Sequence, residues 1–279
     1  MDHPNTRDLF IDMLSRRDGD IELDTASLLI AKEEYPKLSV GDYLDKLDSM
    51  ADEIKSRLSA DYSPSAVVGT INEYLFIRQG FSGNQESYYD PKNSYLSDVL
   101  DRKTGIPITL SIIYMEIGRR LGFQLHGLGM PGHFILGYRF EDELKLLDPF
   151  NSGECLTIQQ CQERVKSMTN GAPFRSEFLH PMENRQIIWR MLNNLKGIYV
   201  RASDFTKAVS IIDRMMLITP KSPVLMRDRG VIKYRMEALT DAVDDLELYL
   251  KLSPNAWDAT EVKQLIGAIW EQRITLTDS

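Results

Sequence analysis

Two pairs of residues recur at one interval. Ala208 and Ala242 lie 34 residues apart, as do Pro220 and Pro254, and each alanine precedes its proline by twelve. A small side chain is needed where two helices cross closely. Proline stops a helix because it lacks an N–H and clashes with the preceding turn. An interval of this length holds two helices and their turns, so this end of the chain reads as stacked helix pairs, each burying its apolar face against the next. Leu195 and Tyr199 take first-helix positions in one unit, and Arg229 with Gly230 take them in the next. The units span 189–222 and 223–256, and Trp257 to Arg273 reads as a helix covering the last apolar face. A plain helical bundle gives no reason for the double coincidence.

The upstream half has a different pattern. Residues 24–60 read as helices, with Leu28, Leu29, Ile30 and Tyr35, then Tyr43, Leu44, Leu47, Met50, Ile54 and Leu58 at three- and four-residue intervals. Pro36 ends the first helix. Ser65 to Gln79 reads as another, closed by Gly80. Residues 80–98, rich in Gly, Asn, Ser, Tyr and Asp, read as an ordered loop. A helix is predicted from Pro107, where a missing N–H costs nothing, to Gly122. Leu125–Met130, His133–Phe140 and Leu144–Leu147 read as strands, with Glu141-Asp142-Glu143 as a charged turn. A helix followed by antiparallel strands is an α+β arrangement. The polar stretch 166–185 marks the boundary between an α+β domain over 1–175 and an all-α helical repeat domain over 186–279.

Length and composition suit a globular chain: 279 residues, 43% hydrophobic and 27% charged. The net charge of −8 and the lack of a dense Lys/Arg run argue against a nucleic-acid partner. The two cysteines, Cys155 and Cys161, are too few for a disulfide scaffold and fit a reducing compartment. No Cys/His cluster has metal-ligand spacing, so neither a metal nor a cofactor is expected. Met1 to Asn5 lack the basic and apolar regions of a signal peptide. The uncharged stretch Leu121–Tyr138, broken by Pro131 and five glycines, is a poor membrane span. A cytoplasmic protein with no membrane partner is the expectation, and oligomeric state is not legible.

Gly127-Leu128-Gly129-Met130-Pro131-Gly132 fits a dinucleotide-binding pattern, but that pattern needs a helix after its last glycine. His133-Phe134-Ile135-Leu136 reads as a strand, so the glycines serve turns and close packing. His133 opens one strand and Asp148 ends the next. A hairpin about Glu141–Glu143 brings them together, and a carboxylate beside an imidazole fixes its tautomer and stabilises its cation. The alternative is a core histidine satisfied by a nearby acid. A thiol at the start of the Pro107 helix, facing this pair, would make a nucleophile, a base and an orienting acid.

Gly105-Ile106-Pro107, Arg119 with Gly122, Pro131-Gly132-His133-Phe134 and Leu147-Asp148-Pro149-Phe150 resemble the transglutaminase-like superfamily. Phe76–Gly83, Tyr88–Leu100 and Gly105–Leu110 are similar to its SirB-type members in bacteria, and the 34-residue units resemble tetratricopeptide repeats. Lys196 stands where such a repeat has Gly, and a third unit is half present. The resemblance implies a transglutaminase-like (papain-like) core with N-terminal helices, then the repeats. It places the family's His and Asp on His133 and Asp148, and its cysteine, two residues after Gly105, on Pro107.

Proline carries no nucleophile. Thr104, Thr109, Ser111 and Cys155 are the residues from which a replacement would come; Thr109 and Ser111 also read as packing residues and Cys155 as a small hydrophobe. Tyr88, Asn93 and Tyr95, with Thr109 and Ser111, are expected to line a cleft suited to peptide recognition, or to build an ordinary ordered loop. The leading expectation is a non-catalytic protein- or peptide-binding regulatory or accessory factor. The alternative is a cysteine-protease-like hydrolase or acyl transferase with a relocated nucleophile.

Overall fold

The structure, a computed structural model, describes residues 5–59 and 62–277, with side chains through residue 272. The expectations made on residues 1–4 and on residue 60, and the side chain of Arg273, lie outside these.

Four helices open the chain: α1 (Thr6–Ser15), α2 (Leu23–Glu34), α3 (Val40–Lys55) and α4 (Pro64–Asn72). Each of the last three buries one face, with Leu28, Ile30, Leu47, Ile54 and Ile71 inaccessible to solvent. A π-helical turn, Glu73–Arg78, extends α4 as far as Gly80, whose φ of +73° ends the run. The loop that follows contains regular elements that the sequence did not suggest. Strand β1 (Ser82–Gly83) pairs in parallel with β2 (Thr104–Gly105), and between them lies α5 (Leu96–Arg102).

Helix α6 (Pro107–Arg120) has proline at its first position, and Thr109 Oγ1 accepts from the Ile106 N–H at 3.1 Å. It stops at Gly122, φ +72°, where the Phe123 N–H reaches back to Gly118 O at 2.8 Å. A four-stranded antiparallel meander follows: β3 (His126–Met130), β4 (His133–Phe140), β5 (Glu143–Asp148) and β6 (Glu154–Leu156). Pro131-Gly132 turns β3 into β4, with Gly132 at φ +72°. Glu141 and Asp142, both at positive φ, make the two-residue turn into β5.

One face of this sheet, with Leu128, Ile135, Leu146 and Leu156, packs on Cys161 and Val165 of α7 (Ile158–Met168). Neither β6 nor α7 was anticipated. Helix α8 (Asn184–Arg201) starts on Asp18, whose carboxylate accepts the N–H groups of Asn184 at 2.7 Å and Arg185 at 2.9 Å.

The chain divides into two compact units, Met1–Met191 and Leu192–Ser279. The second contains α9 (Phe205–Ile218), α10 (Pro223–Arg235), α11 (Leu239–Leu252) and α12 (Ala259–Thr277). Ala208 and Ala242 are fully buried, and Pro220 and Pro254 each lie two residues past a helix end. A Cβ on Gly230 would meet Leu246 Cγ at 2.8 Å, the close crossing that the 34-residue spacing implied. The terminal helix begins two residues after Trp257, which is exposed. Arg229 bridges Asp245 and Asp213, and Lys196 pairs with Asp228 at 2.7 Å. Among the described residues no helix is long and apolar enough to cross a membrane.

Candidate functional site

His133 Nε2 and Asp148 Oδ2 are 2.7 Å apart, both side chains buried. The sheet's register explains the contact. Leu136 pairs with Leu147, which sets Asp148 across from Ile135. His133 is two residues before Ile135, so it shares that face and meets Asp148 on the diagonal.

Asp148 has more partners than the histidine. Its Oδ2 also accepts from Asn151 Nδ2 at 2.8 Å and from Arg164 Nη1, and its Oδ1 accepts the Phe150 N–H at 3.1 Å. Burial alone would raise its pKa. The bond and charge of His133, with Asn151 and Arg164, outweigh that and hold the group below the usual carboxylate range. The second arm of Arg164 pairs with Glu154 at 2.7 Å, on the residue directly across from Asp148. One guanidinium from α7 therefore spans two carboxylates on adjacent strands.

The histidine's backbone is also held. Arg190 Nη2 donates to the carbonyls of Met130 and His133, both at 2.6 Å, closing the turn from β3 into β4. Burial lowers the pKa of this guanidinium. It lies over the Phe134 ring, 5.7 Å from the centroid, and a Cβ on Gly129 would come within 3.1 Å of Nη1. The glycines read as packing residues have that role here. Arg164 and Arg190 carried no expectation from sequence. The Thr157-x-x-Gln160 capping box, with apolar Cys161 and Val165 one turn apart, was the available sign of the helix that carries Arg164.

The residues expected to line a recognition cleft divide. Tyr88 is half-buried, with exposed Tyr89 on one side at 5.3 Å and Phe150 on the other at 6.3 Å. Phe150 in turn meets the His133 ring at 6.0 Å. A file of rings thus leads from the surface to the His–Asp pair. The other four offer a ligand no surface, which corrects that expectation. Asn93 is buried, donates to Ser87 O at 2.8 Å and accepts from Asn84 Nδ2 at 3.2 Å, so its amide holds the loop together. Tyr95 is buried edge-on to Tyr35 at 5.6 Å. Thr109 Oγ1 donates to Asn93 O at 2.8 Å, and Ser111 Oγ is buried with no hydrogen-bond partner among the described residues.

Pro107 occupies the first position of α6, buried. Of the other candidate nucleophiles, Thr104 Oγ1 bonds to Arg102 O at 3.2 Å. Cys155 is exposed and pairs with Leu147, so it points to the opposite side of the sheet from Asp148. Among the described residues no group of three His, Cys, Asp or Glu is placed to hold a metal.

The transglutaminase-like superfamily profile matches residues 41–193, and a tetratricopeptide repeat profile matches 195–267. A UPF0162 protein of Xylella fastidiosa (strain Temecula1) is 33% identical over 261 residues, 92% of this chain and 93% of its own length. One from Vibrio cholerae is 31% identical over 206 residues, 72% of this chain and 76% of its own. F-box only protein 21 of Mus musculus is 32% identical over 143 residues, 48% of this chain and 22% of that protein. The chain belongs to the transglutaminase-like superfamily and, by an identity that runs nearly its whole length, to the UPF0162 proteins.

Proposed function

We propose that the protein is a non-catalytic, peptide- or protein-binding regulatory or accessory factor, of the kind the SirB-type resemblance implies, working in the cytoplasm. The observation that carries this reading is Pro107 at the first position of α6, where the superfamily pattern calls for a thiol. The state of Asp148 supports it. Its oxygens are filled by His133, Asn151, Arg164 and a backbone N–H, an arrangement that pins a buried anion in place. Tyr88 and Tyr89 offer an aromatic wall beside the pair, and tetratricopeptide units supply a second surface for a partner.

The test is a hydrolase and amine-transfer panel on purified wild type and His133→Ala. The expected result is no turnover in either, with both folded. Turnover in the wild type that disappears in the variant would overturn the reading.

One observation favours a second reading, a hydrolase or acyl transferase with a relocated nucleophile. Ser111 Oγ is buried without a hydrogen-bond partner among the described residues, whereas Thr109 and Thr104 have their hydroxyls engaged. A fluorophosphonate probe followed by mass spectrometry decides this: adduct on Ser111 supports it, and an unlabelled chain removes it.

A further inference from the structure

Arg190 has no counter-ion among the described residues. It stands on α8, within the first unit, where Nη2 donates to the carbonyls of Met130 and His133. Nε and Nη1 donate to no described group. The acids at this end of the sheet are committed elsewhere, since Asp148 and Glu154 both pair with Arg164. A cation shielded from water without an anion is unusual, because buried charges are normally paired. Burial lowers the pKa of this guanidinium, the mark of the missing partner.

A second unused donor lies beside it. The Tyr88 hydroxyl has no hydrogen-bond partner among the described residues. Arg190 is near enough to act on the charge of that phenol, and the phenol on the guanidinium, yet no hydrogen bond joins them. Both side chains are half-buried, so a ligand from solvent can meet them. Gly129 makes room for the guanidinium, because a Cβ there would stand 3.1 Å from Nη1. The surroundings are apolar: Phe134 lies 5.7 Å from the guanidinium, and Phe150 and exposed Tyr89 flank Tyr88.

The donors set the chemistry of a ligand. One positive charge with a hydroxyl beside it matches a group with one negative charge and two oxygens, which is a carboxylate. A phosphate carries more charge and three outward oxygens, and calls for a second cation. Arg164, the other arginine at this end of the sheet, already spans two acids. The rings offer a surface to a hydrocarbon side chain next to that carboxylate.

We propose that Arg190 and Tyr88 form a carboxylate-binding subsite for the protein's peptide partner. The guanidinium and the phenol each donate to one carboxylate oxygen, and an apolar side chain of the peptide lies against the rings of Tyr88 and Tyr89. The proposal rests on the binding reading above and names what that partner must present. The carboxylate comes from a peptide C-terminus or from an Asp or Glu side chain, which supply the same single charge.

The experiment presents full-length protein with three hexapeptide libraries. In the first, a free C-terminus is the only carboxylate. In the second, the C-terminus is amidated and one fixed Asp or Glu supplies it. The third is amidated and has no acid. Enrichment from the first or second and not from the third is expected, and the library that enriches identifies the source. Calorimetry then compares a selected peptide with its carboxamide counterpart. Wild type should prefer the acid by at least about thirtyfold, the factor of a charge-assisted pair in a partly buried site. Arg190→Gln should lose that preference while binding the carboxamide as wild type does. A purely structural arginine would weaken both ligands alike, so the ratio separates the two roles. Because Arg190 also holds a turn, Tyr88→Phe is the second variant. It keeps the ring, leaves the hydrogen bonds of the turn in place, and should lower affinity for the acid about tenfold with no change for the carboxamide. No enrichment from any library, equal enrichment from the acid-free one, or an acid-to-amide ratio unchanged in either variant would overturn the proposal. Capture of acid-free peptides that depends on Tyr88 would overturn the carboxylate alone and leave the binding reading standing, whereas turnover lost in His133→Ala would overturn that reading itself.

Discussion

Two buried carboxylates in the same unit have opposite fates. Asp148 is fully buried and its pKa falls below the usual range; Glu116 is 3% exposed and its pKa rises to about 7. Burial pushes both upward, so burial does not separate them. The neighbours do. Asp148 accepts from an imidazole, an amide, a guanidinium and a backbone N–H, and the acid that shares its guanidinium, Glu154, is exposed. Glu116 shares its arginines with Asp24, so two anions compete for the same cations. A filled carboxylate is a fixed anion that organises its surroundings. A carboxylate with a second buried acid beside it keeps a proton within reach of neutral pH. Inferring function from a buried acid therefore requires counting its donors.

The largest expected effect breaks the first half of this comparison. Asp148→Ala leaves His133, Asn151 and Arg164 facing an empty acceptor in the interior, and removing one partner of a buried pair costs about 3–5 kcal/mol. Urea unfolding of the full chain, followed on the first unit, should show that loss. Asp148→Asn should recover only part of it, since an amide can accept from His133 but presents an N–H toward Arg164 or Asn151. A loss below about 1 kcal/mol for the alanine variant, the level of an exposed pair, would mean that the cluster is not the pin described here.

The next effect concerns pH. Glu116 has a folded pKa of about 7 against 4.5 for the ordinary group, so between those values the native state holds more protons than the unfolded chain. Stability from this group is therefore full below its ordinary pKa and declines as pH rises toward 7. The total is on the order of 3 kcal/mol at 1.36 kcal/mol per pKa unit. Asp148 slopes the other way: its contribution is present at neutral pH and is lost as pH falls through its lowered pKa. Denaturant midpoints of wild type and Glu116→Gln from pH 5 to 8 isolate the first term. The variant should gain on the wild type from pH 5 to about 7 and level off above it, and a pH-independent difference would remove Glu116 as the titrating group.

The sequence carried these two clusters unequally. His133 and Asp148 were legible because they bracket a hairpin whose strands alternate and whose turn is charged, so local pattern alone brought them near each other. Helix α6 and the repeats were legible for the same reason: Pro107, Gly122 and the buried Ala208 and Ala242 are punctuation that a local rule can read. Arg164 and Arg190 were not, because a guanidinium that travels from a distant helix to a carboxylate or a carbonyl leaves no local periodicity. Glu116 looked like any polar residue in an amphipathic helix; only its meeting with Asp24, 92 residues earlier, makes it unusual. Helix α5, at seven residues, sits in a stretch of Tyr, Asn and Ser, where turn propensity masked it. Asn93 and Tyr95 suggest a cleft because polar and aromatic side chains in a loop imply a surface, and Thr109 and Ser111 because they lie in the first turns of α6. The loop instead folds inward, and its polar atoms mainly satisfy its own backbone.

The smallest effect tests how Arg164 is delivered to Asp148. Helix α7 begins with a reciprocal cap: Thr157 Oγ1 accepts the Gln160 N–H at 3.2 Å, and Gln160 Oε1 accepts the Thr157 N–H at 2.8 Å. Arg164 sits two turns into this helix, and its grip on Asp148 and Glu154 requires the first turn to be formed. Thr157→Ala should cost about 1 kcal/mol, the usual price of a lost N-cap. Hydrogen exchange in the first turns of α7 should rise about fivefold, the factor that matches such a loss. Combined with Arg164→Ala, the two losses should be less than additive, because the cap stabilises binding of a side chain that the double variant lacks. Strict additivity would mean that α7 is set by Cys161 and Val165 in the core, and that Arg164 reaches Asp148 whether or not the helix start is capped.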